Sequence, residues 1–177
     1  MAETKRIQTP LSTEDIAGLR AGESVLLSGT IYTARDAAHK RMVEELALGE
    51  DMPFDFNGAA VFYAGPSPTK PGGVIGSIGP TTSGRMDAYA PVLMAQGLRV
   101  MIGKGERSLA VVDAMKKHTA VYLAAIGGIA ALMSACVVSA RVVAYDELGT
   151  EAIRELMVAD LLLVVAIDSQ GDNVYKR

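Results

Sequence analysis

The stretch Gly76-Ser-Ile-Gly-Pro-Thr-Thr-Ser-Gly-Arg-Met-Asp87 combines three glycines, four hydroxyl side chains and an arginine. Glycines let backbone N–H groups approach a ligand closely, and a helix N-terminus offers unpaired N–H donors to an anion. An arginine adds a fork that matches a carboxylate or a phosphate. Because residues 72–75 are predicted to form a strand and residues 86–96 a helix, the stretch is interpreted as an anion-binding corner. An ordinary loop with a helix cap is the alternative.

The same stretch also has the glycine spacing of a phosphate loop, G-x-x-x-x-G-K-[ST], over residues 79–86. Arg85 replaces the lysine of that motif, and Met86 replaces the hydroxyl residue that holds Mg²⁺. Both chemically essential positions differ, so we reject a nucleotide hydrolase at this locus.

Two further cations follow predicted strands. Arg35 begins a predicted helix over residues 35–48, where a positive charge opposes the helix dipole. That conflict makes Arg35 a functional candidate, with a solvated surface arginine as the alternative. Lys104 lies between Gly103 and Gly105 directly after a predicted strand, although the third glycine of a dinucleotide fingerprint is missing. Its amine is therefore predicted to be available to an anion.

The segments that must position these groups alternate between strands and helices. Apolar runs predict strands over residues 24–31, 59–63, 98–102, 121–126 and 141–145, and residues 151–168 predict a short helical turn followed by strands. Helical spacing predicts helices over residues 13–20, 35–48, 108–117 and 129–137, the first opened by a capping box at Ser12. This pattern indicates an α/β fold with strands covered on both faces.

Composition narrows the class of protein. A chain of 177 residues suits one domain, which we place at residues 11–177 after an N-terminal leader at 1–10. The net charge of −3 provides no basic footprint for nucleic acid. A single cysteine excludes an internal disulfide, and no secretory signal is evident, so the expected location is cytoplasmic.

Residues 119–140 carry no charge and are long enough to span a bilayer. They are rich in Ala, Gly and Ser, which contribute little to insertion, and Gly127-Gly128 lies near the middle. We therefore predict a buried strand, a turn and a buried helix rather than a membrane span. Cys136 is predicted to lie inside that apolar helix, buried and inert.

Four motifs together resemble the class I fumarase β subunit. They are Gly29-Thr-Ile-Tyr-Thr-Ala-Arg-Asp-Ala-Ala-His-Lys-Arg41, Tyr63-Ala-Gly-Pro with Lys70-Pro-Gly72, the 76–87 stretch, and Met101-Ile-Gly-Lys-Gly105. This subunit is equivalent to the C-terminal domain of single-chain class I fumarases and is related to the L-tartrate dehydratase β subunit. The resemblance extends over almost the whole chain, from about Leu11 to Asn173.

The resemblance implies a swivelling β/α/β domain that docks onto an α subunit in a hetero-oligomer. That α subunit would carry an oxygen-sensitive 4Fe-4S cluster, and the active site for reversible hydration of fumarate to (S)-malate would lie between the two. By motif match, Thr81 is the expected proton-transfer residue, while Arg35, Arg85 and Lys104 are expected to hold substrate carboxylates. The chain itself is expected to bind no metal or cofactor, because one cysteine and two distant histidines cannot ligate a cluster.

Some alternatives stay open. Glycine at position 84 favours fumarase over tartrate dehydratase, in which the resemblance implies a larger residue. Serine at position 83, where the family commonly has alanine, is a small departure that puts nothing important about the resemblance in doubt. A small-anion-binding domain without chemistry and a phosphate-binding enzyme are the competing functions. The hydrophobic half of the composition further predicts an apolar docking face for the α subunit.

Overall fold

The computed structural model describes residues 4–125 and 130–176. Within these ranges it contains seven strands: Lys5–Gln8 (β1), Ser24–Thr33 (β2), Ala60–Phe62 (β3), Val100–Gly103 (β4), Val121–Ala125 (β5), Val137–Ala144 (β6) and Ile153–Ile167 (β7). The α-helices are Thr13–Ala17 (α1), Asp36–Ala47 (α2), Ala90–Ala95 (α3), Leu109–His118 (α4) and Ala130–Ala135 (α5). Short 3₁₀ segments occupy Ser83–Met86, Asp146–Glu151 and Val174–Lys176.

Five of the strands form a closed ring. β2, β3, β4 and β5 are paired in that order and run parallel, and β7 runs antiparallel to both β5 and β2. β7 pairs along the full length of β2, from Ser24 opposite Val164 to Thr33 opposite Arg154. β1 occupies the other edge of β2 at residues 25–28, and β6 pairs with the first half of β7.

Alternating side chains divide the core into two apolar clusters. The first contains Phe62, Ile102 and Leu123 from three neighbouring ring strands, together with Leu27 and Leu163. The second cluster contains the strand residues that point to the opposite face, together with helix residues packed against them. It includes Val61, Met101 and Tyr122 of the strands and Met42, Leu93 and Met115 of α2, α3 and α4. Because successive residues of a strand point to opposite faces, a sheet covered on both faces needs almost continuous apolar runs.

The prediction of an α/β fold is confirmed, whereas the swivelling type stays a prediction. The capping box of α1 is also confirmed: Ser12 Oγ accepts a hydrogen bond from the Asp15 N–H at 3.1 Å, and the Asp15 carboxylate accepts from the Ser12 N–H at 2.9 Å. These two bonds satisfy donors that the first turn of a helix leaves open.

Two predicted elements beside the 76–87 stretch are wrong. Residues 72–75 form turns and bends instead of a strand, with Gly72 at a φ of 77°. The helix predicted over residues 86–96 is the 3₁₀ segment Ser83–Met86 followed by the short helix α3. Pro91 lies in the first turn of α3, where its missing N–H costs no helical hydrogen bond, so it is compatible with the start of this helix.

The C-terminal third also differs from expectation. The predicted group of strands after residue 151 is a single fifteen-residue strand, and β6 begins at Val137, where the end of a helix was predicted. Cys136 lies in the turn between α5 and β6 and is partly exposed, so its predicted burial inside a helix is wrong. Partial burial raises the pKa of its thiol.

The segment predicted as an N-terminal leader contributes an edge strand, since β1 pairs parallel with β2. Three predicted features lie outside the described residues. They are the Gly127-Gly128 turn, the end of the strand predicted to reach residue 126 and the start of the helix predicted at residue 129. In the ranges that the structure describes, no helix is long and apolar enough to cross a membrane.

Candidate active site

The four residues expected to form the site lie at the ends of neighbouring elements. Arg35 occupies the N-cap position between β2 and α2, and Lys104 directly follows β4. Thr81 precedes the 3₁₀ segment that contains Arg85, and its N–H donates to the Tyr63 carbonyl oxygen, just beyond β3, at 2.7 Å. Because β2, β3 and β4 run parallel, their carboxyl ends share one edge of the sheet. The topology therefore brings all four residues to that edge.

Asp36 joins the two arginines. Arg85 Nε lies 3.0 Å from Asp36 Oδ1, and Arg35 Nε lies 3.5 Å from Asp36 Oδ2. Arg35 Nε also lies 3.2 Å from Glu151 Oε1, at the end of the segment between β6 and β7. All of these side chains keep some exposure to solvent, so their ion pairs orient the guanidinium groups without sealing them from a ligand.

Arg85 also contacts the threonine. Its Nη2 donates a hydrogen bond to Thr81 Oγ1. The two residues are four apart, and they meet although Thr81 lies before the 3₁₀ segment. A cationic donor on the hydroxyl oxygen stabilises negative charge that develops there. Arg85 therefore supplies the kind of neighbour that a threonine needs to exchange a proton.

Lys104 is held by its backbone. Its N–H donates to Ser83 Oγ at 3.0 Å, and its carbonyl oxygen accepts from the Ser83 N–H at 2.9 Å. The side chain is exposed, and among the described residues no carboxylate lies within 4 Å of its amine. The site thus contains three cations, Arg35, Arg85 and Lys104, beside the two carboxylates Asp36 and Glu151. Among the described residues, both arginines have an acidic partner and Lys104 has none.

A buried polar layer beneath this edge was missed by sequence reasoning. The Arg107 side chain is wholly buried, and its Nε lies 2.6 Å from Asp87 Oδ1. Its guanidinium carbon lies 5.2 Å and 5.0 Å from the ring centres of Tyr63 and Tyr122. An arginine is rarely buried without an acidic partner. The only sign of this layer in the sequence was therefore Asp87, a carboxylate in the 76–87 stretch that could serve as such a partner.

Serine at position 83 makes two contacts through its side chain. Its side chain is fully buried, and besides the bond from Lys104 its Oγ lies 2.9 Å from Tyr122 Oη. An alanine at this position could make neither contact. The serine hydroxyl thus joins the start of the 3₁₀ segment to the residue after β4 and to β5.

His39 is buried behind Arg35. Its Nδ1 lies 2.9 Å from the Arg35 carbonyl oxygen, and its ring meets the Tyr63 ring edge-on at 5.1 Å. Within the described part of the chain, its Nε2 has no hydrogen-bond partner. Loss of solvation lowers the pKa of His39 from 6.5 to about 4, so the ring is neutral at pH 7 and carries no positive charge into the site.

We expect the free energy of unfolding to fall as the pH decreases from about 6.5 to 4. The folded-state pKa of His39 lies below its unfolded value, so in this window the unfolded chain binds a proton that the folded chain excludes. Across this window, the pKa shift of His39 accounts for a loss of roughly 3 kcal/mol in the free energy of unfolding. Urea unfolding at a series of pH values measures it. His39→Leu should show a shallower pH dependence, whereas the control His118→Gln should keep most of it. Equal slopes for wild type and His39→Leu would contradict this assignment.

The chain is similar to a known protein family and to named enzymes over most of its length. The family model described as fumarase C-terminus matches residues 2–177. "Fumarate hydratase class I, aerobic" of Escherichia coli is 42% identical over 153 residues, which are 85% of this chain and 28% of that protein. "Fumarate hydratase 2" of Leishmania major is 38% identical over 158 residues, which are 88% of this chain and 28% of that protein.

A relative of similar length has a different name. A Methanocaldococcus jannaschii protein named as an L(+)-tartrate dehydratase subunit beta is 40% identical over 173 residues, which are 94% of this chain and 89% of that protein. The chain spans 28% of the length of the two fumarate hydratases. Since the family model covers the chain from residue 2 to its last residue, the chain belongs to the fumarase C-terminus family.

Proposed function

We propose that this chain is the β subunit of an iron–sulfur hydro-lyase that interconverts fumarate and (S)-malate. The observation that carries the proposal is the contact between Arg85 and Thr81 at the edge of the sheet that also bears Arg35 and Lys104. A dicarboxylate needs two cationic sites and, for hydration, a group that moves a proton to or from carbon. Membership of the fumarase C-terminus family supports the same chemistry.

The proposed roles follow from the charges. Arg35 and Arg85 bind carboxylates through two-point hydrogen bonds, and Lys104 provides a point charge. Asp36 and Glu151 balance the arginines until substrate carboxylates compete for them. Thr81 exchanges the proton, and Arg85 stabilises the oxygen that is left behind.

The residues of this chain do not fit an iron–sulfur cluster. The sequence has one cysteine, and Cys136 lies in the α5–β6 turn. Clusters of this kind are ligated by several thiolates. We therefore place the 4Fe-4S cluster on the α subunit.

An apolar surface supports the proposed α subunit as a partner. Helix α5 and the β6–β7 pair carry exposed apolar side chains, namely Leu132, Val138, Val142, Met157 and Leu162. Leu132 and Val138 are 65% and 60% exposed. Exposed apolar side chains on adjoining elements are typical of an interaction surface, and β6 is an edge strand of the sheet.

An L-tartrate dehydratase β subunit is the second candidate. It is favoured by the relative named as such a subunit, which this chain matches over 89% of its length. Both candidates use a dicarboxylate and the same cationic edge, so they differ in the substrate that fits between this chain and its partner.

Anaerobic co-expression with a candidate α subunit tests the proposal. The complex should persist on size exclusion at micromolar concentration and should interconvert fumarate and (S)-malate, with slower turnover of tartrate. The isolated chain should take up no cluster on reconstitution and should be inactive.

Two outcomes would count against the proposed function. A stoichiometric cluster on the isolated chain would show that the assignment of the cluster to a partner is wrong. A complex that turns over tartrate faster than malate would favour the second candidate.

A further inference from the structure

Two buried hydroxyl groups enclose the backbone at Lys104. Ser83 Oγ accepts from the Lys104 N–H at 3.0 Å. Tyr122 Oη lies 2.9 Å from Ser83 Oγ and 2.9 Å from the Gly105 carbonyl oxygen. The N–H of Lys104 and the carbonyl of the next residue, Gly105, are therefore bound to the same pair of side chains.

Counting protons gives these contacts a direction. The Gly105 carbonyl can only accept, so the single proton of Tyr122 goes to it. The Ser83 hydroxyl then donates to Tyr122 Oη and accepts from the Lys104 N–H. Burial raises the pKa of Tyr122, which keeps its proton in place for this chain of bonds. In this series of bonds, both hydroxyl protons have an acceptor and the Lys104 N–H has one as well.

Packing around the pair leaves little freedom. A Cβ added at Gly103 would lie 1.9 Å from Ser83 Oγ and 3.0 Å from the Tyr63 ring, so the end of β4 rests directly on the serine. The Tyr122 ring is in turn packed against the guanidinium of Arg107, which is fixed by Asp87. Both hydroxyl groups are thus held by the buried layer rather than by the surface loop.

We infer that the Ser83–Tyr122 hydroxyl pair positions Lys104 for the substrate carboxylate. The pair is a positioning device that acts through the backbone of Lys104, and it touches no substrate itself. This inference rests on the proposed function for its kinetic consequence, whereas the fixing of the Lys104 backbone can be measured without any activity.

Amide exchange and kinetics of Ser83→Ala test the two halves. In the full chain, exchange of the Lys104 amide should become at least about tenfold faster, because its acceptor is gone. In the complex with the α subunit, the KM for (S)-malate should rise about 3- to 10-fold, with kcat changed less than about twofold. Tyr122→Phe should shift both readouts in the same direction.

A double-mutant cycle shows whether the effect passes through Lys104. In a Lys104→Met background, Ser83→Ala should change the KM by less than about twofold, since no amine is left to position. Ser28→Ala is the matched control, because Ser28 Oγ also accepts a backbone N–H, that of Asp160, at 3.0 Å in the middle of β2. It should leave the KM for (S)-malate unchanged.

Three results would overturn the inference. They are an unchanged Lys104 amide in Ser83→Ala, an unchanged KM despite faster exchange, and an equal rise in KM with and without Lys104. An inactive wild-type complex would instead overturn the proposed function, and the exchange result would then decide whether the hydroxyl pair fixes the Lys104 backbone.

Discussion

Thr81→Val is expected to reduce kcat for malate–fumarate interconversion by about 10²–10⁴-fold, which is the usual contribution of a positioned proton-transfer group. Valine keeps the shape of threonine and deletes the hydroxyl that accepts a hydrogen bond from Arg85. If that hydroxyl moves the proton, the loss appears in kcat more than in KM. Steady-state kinetics of the reconstituted complex, with cluster content measured in each variant, provide the test.

Arg85→Lys is the matched variant, because it separates binding from proton transfer. Arg85 reaches Asp36 through Nε and Thr81 through Nη2, and a lysine has no fork with which to serve both. Loss of one charge-assisted hydrogen bond, worth roughly 1.5–3 kcal/mol, corresponds to a fall in kcat/KM of about 10- to 150-fold. A Thr81→Val enzyme with near-normal kcat would remove threonine from the mechanism and leave this chain as a carboxylate-binding subunit.

Arg107→Met is expected to lower the free energy of unfolding by about 3–5 kcal/mol, the usual cost of removing one partner of a buried ion pair. The Arg107 side chain is completely buried and Asp87 is 15% exposed, so the substitution leaves a largely buried carboxylate without its partner. For a chain of this length the melting temperature should fall by roughly 6–20 °C. Urea unfolding followed by circular dichroism measures the free-energy change.

Arg6→Met is the control for that experiment. It makes the same substitution in the ion pair with Asp160, whose side chains are 71% and 53% exposed. Exposed pairs contribute at most about 1 kcal/mol. The structural role assigned to Arg107 would be wrong if the two variants were equally stable. Arg107→Met combined with Asp87→Asn should lose less stability than the sum of the single changes, because the two residues are in direct contact.

The sequence alone determined the α/β class and where the cations fall along the chain. Apolar runs with strand length and helical spacing depend on neighbours within a few residues, so they are readable without a structure. Arg35 and Lys104 each follow a predicted strand, and parallel strands bring such positions to one edge. The family was also evident from the motifs, as the match over residues 2–177 shows.

Tertiary structure decided how the sheet closes. β7 pairs with β2 and β5, from which it is separated by many residues, and β1 joins the sheet from a segment that was expected to be a leader. Hydrogen bonds between strands are made to whichever backbone lies alongside, and the local pattern of side chains does not specify that partner.

The polar contacts of the site were likewise decided by the fold. Asp36 orients two arginines that are fifty residues apart, and Ser83 meets Lys104 and Tyr122 only because β4 and β5 are neighbours. Arg107 looks like a surface arginine in the sequence, yet it is buried between two tyrosines and paired with Asp87. Whether a charge can be buried depends on partners that supply hydrogen bonds and opposite charge, and in this protein those partners come from distant parts of the chain.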